Sequence, residues 1–244
     1  MNRRSFLKIT SFTAGAWLIS DLKPLASAAK DTVGVESFIP NPLIRLQSDG
    51  KVILYVMKQE MGQQVDTSLP ALIAEELDVD PEHVSVETFA YDAAIAGRYN
   101  TYASASIRSA WQSLRKAGAA ARTMLMNSAA DVWQVGPEEL RTENSKVIND
   151  KTGASLPYAE LIEKASKLKV PDNPTLKEPK DYKLIGKKNK RTNIKKILSG
   201  RQQYGIDVRL PGMVYAAVVR SPVFYGKLKS WDDSALKKLG PGIL

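Results

Sequence analysis

The chain has 244 residues, no cysteine, one histidine and a formal net charge of +9. The length suits one large domain or two small ones. Without cysteine it can hold no disulfide, no thiolate zinc site and no cysteine-ligated iron–sulfur cluster; a single His83 excludes a histidine-cluster metal site and argues against a Ser–His–Asp triad.

Residues 1–29 read as an export signal. Arg3-Arg4 precede Ser5-Phe6-Leu7-Lys8, a modestly apolar run follows from Ile9 to Ile19, and Ala26-Ser27-Ala28 forms a small-residue cleavage site. The apolar run is too short for a permanent membrane span. The pattern implies the twin-arginine translocase, which carries proteins already folded, and a periplasmic destination.

Next, Leu43 to Leu46 and Val52 to Met57 flank Ser48-Asp49-Gly50, a hairpin signal. The second strand runs into Lys58-Gln59-Glu60-Met61-Gly62-Gln63-Gln64-Val65-Asp66-Thr67. Glycine at a strand–helix corner lets a ligand approach bare backbone, and free amides at the helix start favour an anion such as phosphate. Val65, Leu69, Leu72, Ile73 and Leu77 recur at helical spacing, but Pro70 conflicts with a helix already running from Gly62. The regular helix therefore begins near Thr67 or Ser68, or is kinked there. His83 reads as a surface residue before the alternating strand Val84 to Phe89, and Tyr91 to Ala103 as a loop.

Ile107, Trp111, Leu114, Gly118, Ala121, Leu125 and Ala129 trace one face of a long helix, with Ser104 or Ser106 placed to cap it and Gly136-Pro137 to stop it. Ala117 to Ala121 would let another element pack closely. Arg108, Arg115 and Arg122 form a basic stripe that reads as a solvated face. A small hairpin turns at Asn144-Ser145, and a short helix begins at Pro157. From Lys167 the chain turns basic, with no interleaved aromatics and no nucleic-acid motif. It reads as a solvated linker, an acidic partner surface being the alternative. Beyond it, 204–208 and 213–219 read as strands of a second, unfinished domain.

The helix starts Gly62-Gln63-Gln64 and Ala103-Ser104-Ala105-Ser106, in this order and with Ala74-Glu75-Glu76-Leu77 between them, resemble the molybdenum hydroxylases of the xanthine dehydrogenase and aldehyde oxidase family. The likeness is to the molybdopterin-binding large subunit of the isoquinoline 1-oxidoreductase type. It continues through Arg141-Thr142-Glu143-Asn144 and Pro179 to Gly186. It is strongest in Ser199-Gly200-Arg201, Tyr204, Asp207, Pro211-Gly212-Met213, Tyr215-Ala216 and Arg220-Ser221-Pro222.

The resemblance implies an α/β (α+β) fold, with mixed sheets and packed helices in a molybdopterin-binding lobe over 30–166. A basic linker over 167–196 and the start of an α/β hammerhead domain over 197–244 would follow. It also implies a molybdopterin-type molybdenum cofactor contacted by Met61, Gly62, Gln63, Gln64, Thr67, Ser104, Ala105 and Ser106. Partners would be a [2Fe–2S] small subunit and a companion polypeptide carrying the rest of the large subunit. The sequence departs from the family in Gln64, where the motif ends in glycine, and in lacking the region of the catalytic glutamate. Glu60, Glu75 and Glu76 are not expected in that role. A non-catalytic exported binding or assembly module is the rival expectation.

Overall fold

The computed structural model describes residues 36–79, 83–89, 100–188 and 190–238. The export signal and most of the loop from Tyr91 lie outside the described residues. The chain divides into two units between Arg201 and Gln202.

The first unit begins with a mixed sheet in the order β1 (Ser37–Asn41), β2 (Ile44–Gln47), β3 (Val52–Val56), β4 (Val84–Thr88). The expected hairpin joins β2 and β3, with Gly50 at φ +87°, and β1 adds an antiparallel edge. β4 pairs parallel to β3, so the chain between them crosses over through α1 (Val65–Leu77). Ile44 and Leu46 point inward from β2 in the two-residue rhythm of a strand, and the other internal strand, β3, sends Val52, Leu54 and Val56 the same way. A single core joins these to Leu72, Ile73 and Leu77 of α1, Leu125 of α2 (Ser106–Trp133) and Leu161 of α3 (Tyr158–Ala165). Fully burying a side chain such as Leu54 or Leu77 stabilises the fold by about 1.5–3 kcal/mol.

The small residues of α2 let it press on α1. A Cβ on Gly118 would stand 2.5 Å from the Ile73 carbonyl oxygen and 3.0 Å from Glu76 Cβ. A second, antiparallel sheet holds β5 (Leu140–Glu143), β6 (Lys146–Asn149) and β7 (Ser155–Pro157), with Asn144 and Ser145 both at positive φ in the expected turn. The architecture is thus mixed α/β, two sheets with packed helices.

α1 starts at Val65, earlier than Pro70 suggested. Proline has no amide to offer the Asp66 carbonyl, and that carbonyl instead accepts the Thr192 hydroxyl at 3.3 Å. A partner from far along the chain thus replaces the missing helix bond.

Residues 175–188 and 190–193 are not the solvated linker expected. They form a strap held along α1. The Glu75 carboxylate, 1% exposed, accepts the consecutive amides of Lys183, Leu184 and Ile185 at 2.9, 2.6 and 3.0 Å. Glu76, 0% exposed, accepts the Lys177 amide at 3.0 Å and Arg115 Nε at 2.8 Å. Asp78 takes Lys177 Nζ at 2.7 Å and the Thr142 hydroxyl at 2.8 Å. The basic stripe of α2 is likewise no solvated face throughout. Arg115 is buried, with its guanidinium 5.4 Å from the Trp111 ring centre and 5.1 Å from that of Tyr182. Arg122 donates to the Thr175 carbonyl at 2.8 Å, and Arg108 is exposed. A short helix, α4 (Ile194–Leu198), ends the strap.

In the second unit the described residues form no strand. Gly205–Asp207 is a single 3-10 turn, and Val214, Tyr215, Val218 and Val219 are exposed. The alternating pattern there has no neighbouring strand to complete its hydrogen bonds. A last short helix, α5 (Ser234–Lys237), follows.

Candidate functional site

Both expected anion sites are helix starts, and the fold connects the chain that leads into each. Lys58 Nζ donates to the Asn100 carbonyl at 2.7 Å, and the Thr101 hydroxyl to the Gln59 carbonyl at 3.4 Å. Burial holds the Lys58 ammonium below its ordinary pKa. The exit of β3 and the approach to α2 are therefore stitched together.

At the α1 start the backbone turns through Gly62 at φ +98° and Gln64 at φ 63°. A Cβ on Gly62 would meet nothing within 4 Å, so its outer face is open. Gln64 stands in the left-handed region where glycine is the unstrained choice, so the glycine that the resemblance implies at this position has a physical reason. Four amides of this turn, those of Met61, Gly62, Gln64 and Asp66, are not free. Glu60 folds back so that its Oε1 accepts the Gly62 amide at 2.7 Å and the Gln64 amide at 3.1 Å, while its Oε2 accepts the Asp66 amide at 3.2 Å. Gln63 Oε1 accepts the Met61 amide at 2.6 Å. The Met61 side chain is exposed. An internal carboxylate thus fills the place an anionic ligand would take.

Glu60 and Asp66 also act on each other's ionisation. Burial raises the Asp66 pKa to about 6, helped by the hydrogen bond and charge of Glu60. Burial also opposes ionisation of Glu60, but bonds from Asp66 and from the Gln64 and Gly62 amides outweigh it and hold Glu60 below its ordinary value. Thr67, expected at the cofactor, is engaged by the strap, its hydroxyl accepting the Thr192 amide at 3.1 Å. Asn193 Nδ2 donates to Asp66 at 2.7 Å, and Arg191 lies 3.6 Å from Glu60.

The α2 start differs. Ala105 is its N-cap, and neither Ser104 nor Ser106 caps it, contrary to expectation. Ala103 and Ser104 both have positive φ (51° and 50°), a turn that leaves the Ser104 side chain exposed and without a bond to the helix amides. Among the described residues the amides of Ser106, Ile107 and Arg108 have no acceptor, and the Ser104 and Ser106 hydroxyls no partner. Open amides, hydroxyls and exposed Arg108 on one helix start suit an anionic, multi-oxygen group. A phosphate-bearing cofactor fits this start as it stands. At the α1 start it fits Gly62's open face, but not the amides held by Glu60.

Sequence reasoning missed Glu60 as the occupant of the turn. Its signal was an acid two residues before the glycine and four before Gln64. It also missed the strap's grip on Thr67, whose partners lie 125 positions away.

A family model described as a molybdopterin cofactor-binding domain matches residues 26–208. The chain is 29% identical to the isoquinoline 1-oxidoreductase beta subunit of Brevundimonas diminuta, an alignment covering 100% of this chain and 36% of that protein. It is 33% identical to a nicotinate dehydrogenase subunit of Pseudomonas putida, over 82% of this chain and 17% of that one. Among solved structures, quinoline 2-oxidoreductase from Pseudomonas putida 86 is similar over 49% of this chain and 15% of its own, at 22% identity and a TM-score of 0.40. The chain thus spans about a third or less of the relatives it matches.

Proposed function

The chain belongs to the molybdopterin cofactor-binding domain family, and from that premise we propose that it forms a cofactor-binding part of the large subunit of a periplasmic molybdenum hydroxylase. The substrate class is an N-heteroaromatic or aldehyde carbon, the oxygen comes from water, and the electrons pass to a separate [2Fe–2S] subunit. With no cysteine, these 244 residues themselves ligate no such cluster. Residues 1–29 direct export through the twin-arginine translocase. The rest of the large subunit completes the cradle.

The observation that carries this reading is the stitching of the glycine turn to the serine helix start through Lys58, Gln59, Asn100 and Thr101. When bound, the molybdenum cofactor supplies the redox centre for hydroxylation. The chain's own part is binding and exclusion. The amides of 106–108, with the Ser104 and Ser106 hydroxyls, hold anionic oxygens, and Gly62 leaves room for close approach. Met61, Gln63, Gln64 and Ala105 border the same region. None of the three carboxylates Glu60, Glu75 and Glu76 is available as the proton acceptor. Glu75 and Glu76 are buried and saturated with donors, and Glu60 is committed to the turn amides. The general base of such a reaction therefore comes from outside these residues.

A second reading, a non-catalytic exported binding or assembly module, is favoured by Glu60 filling the amides of the first helix start. One measurement separates the two. Protein purified from the periplasm with its small-subunit partner is expected to carry molybdenum and molybdopterin, and Ser104→Ala with Ser106→Ala is expected to lower that content severalfold. Purified protein with neither metal nor pterin would leave the module reading in its place.

A further inference from the structure

The glycine turn before α1 holds an anion of its own. One carboxylate, Glu60, accepts three of its amides: Gly62 at 2.7 Å and Gln64 at 3.1 Å through Oε1, and Asp66 at 3.2 Å through Oε2. N–H groups converging on one acidic group are the donor set that an anionic ligand would use. Gly62 leaves the outer side of the turn open, with nothing within 4 Å of a Cβ placed there. An arriving anion therefore reaches the turn without obstruction and meets one competitor, the Glu60 side chain.

That competitor has a second place to go. The strap sets Arg191 beside it, because the Thr192 amide donates to the Thr67 hydroxyl at 3.1 Å and Asn193 Nδ2 to Asp66 at 2.7 Å. Arg191 Nε donates to Asn193 Oδ1 at 2.8 Å, which orients the guanidinium. Its Nη2 stands 3.6 Å from Glu60 Oε1, close enough to attract the carboxylate and too far for a hydrogen bond. Both side chains are reached by water, 25% and 22% exposed, so turning Glu60 toward Arg191 buries no new charge. The present seat is also crowded. Burial, and then the hydrogen bond and charge of Glu60, raise the neighbouring Asp66 to about 6. Glu60 thus has charge-assisted donors on two sides and room to exchange one set for the other.

We propose that Glu60 gates the anion site at the α1 start: it competes for the turn amides and swings to Arg191 in exchange for an anionic oxygen group of the cofactor. This rests on the functional reading above, under which such a cofactor is bound. The competition lowers the apparent affinity of the turn by the fraction of time that Glu60 is away from it, and Arg191 raises that fraction by giving the displaced charge a partner.

The test uses inorganic phosphate as probe, titrated into the 15N-labelled full chain made in a host without molybdopterin synthesis. The amide resonances of Gly62, Gln64 and Asp66 report the gated turn, and those of Ser106, Ile107 and Arg108 the second helix start. Glu60→Gln keeps the size of the side chain and loses its charge. It is expected to tighten phosphate at the first set of amides about tenfold and to leave the second set within about twofold. Asp66→Asn removes a charge from the same turn but not the competitor, and its gain should be under about twofold. Arg191→Gln is expected to weaken phosphate at the first set severalfold in the unaltered chain and to have less than about a twofold effect in the Glu60→Gln background.

A carboxylate that only caps the turn gives a different signature. Glu60→Gln would then weaken phosphate at the first set or leave it unchanged, and either result overturns the proposal. Equal gains from Glu60→Gln and Asp66→Asn overturn it, since charge alone would explain them. So does an equal loss from Arg191→Gln in both backgrounds, because Arg191 would then hold the ligand itself. Molybdopterin content of the periplasmic protein reports separately on the functional reading. Pterin-loaded protein whose turn shows no gating overturns this inference alone, and a gated turn in protein that carries no pterin overturns only the cofactor assignment.

Discussion

At its C-terminal end α1 holds the strap with carboxylates that are almost completely buried, Glu75 at 1% and Glu76 at 0% exposure. At its start it holds the same strap with groups that water still reaches, the Glu60 side chain being 22% exposed. Carboxylates accept backbone amides at both ends, those of the strap at the buried end and those of the turn itself at the start, where the strap is held through Thr67, Asn193 and Arg191. The difference in solvent sets what each end can do. A buried carboxylate surrounded by donors has nowhere else to go, so it fixes structure. A wet one can exchange its partners for water or for a ligand, so it can respond.

The comparison breaks most visibly at the buried end. Glu76→Ala leaves Arg115, its ion-pair partner at 2.6 Å, buried without its counter-charge. A loss of about 3–5 kcal/mol is expected, read from the urea midpoint of unfolding. Comparable destabilisation from Glu60→Ala would erase the contrast. At the wet end effects should be small. Gln64→Gly relieves a residue held at φ 63° and is expected to stabilise the protein by about 1 kcal/mol in the same assay.

The smallest effect concerns protons. Asp66 has its folded pKa raised to about 6 from an ordinary 3.8, so between those values the folded state binds more protons than the unfolded one. Its contribution to stability is therefore full at low pH and is lost as pH rises through about 6. Asp66→Asn removes that loss. Its unfolding free energy should match that of the unaltered protein near pH 4 and exceed it above pH 6, by less than about 1 kcal/mol because solvent screens a half-exposed group. Parallel curves across that range would show that Asp66 does not titrate as described.

Local pattern made much of the first unit legible. The hairpin around Gly50, the long face of α2 and the turn at Asn144-Ser145 follow from spacing and turn chemistry that act over a few residues. The close approach at Gly118 was legible too, because small side chains in a run have few other purposes. β1 and β7 went unread; they are short and carry Pro40 and Pro157, so neither shows a strand period. The strap was misread because its anchors are backbone amides at 183–185, which leave no mark in a sequence, while its lysines advertise solvent. The strands expected at 204–208 and 213–219 had the right alternation and no ladder partner among the described residues. At the site, sequence located both helix starts. That one is filled by Glu60 depends on the path of the turn, which no residue spacing specifies.

The grip of Glu75 on Lys183, Leu184 and Ile185 spans 108 to 110 positions of chain. During synthesis that carboxylate leaves the ribosome long before the amides that satisfy it, whereas α1 and α2 can already meet through Ile73 and Gly118. Closing so long a loop carries an entropy cost that only a nearly complete first unit can offset. The strap is therefore a late-closing clasp whose order reports that the elements beneath it have assembled, and a nascent chain stopped short of residue 183 would carry Glu75 without the three amides it accepts on the flank of its central helix.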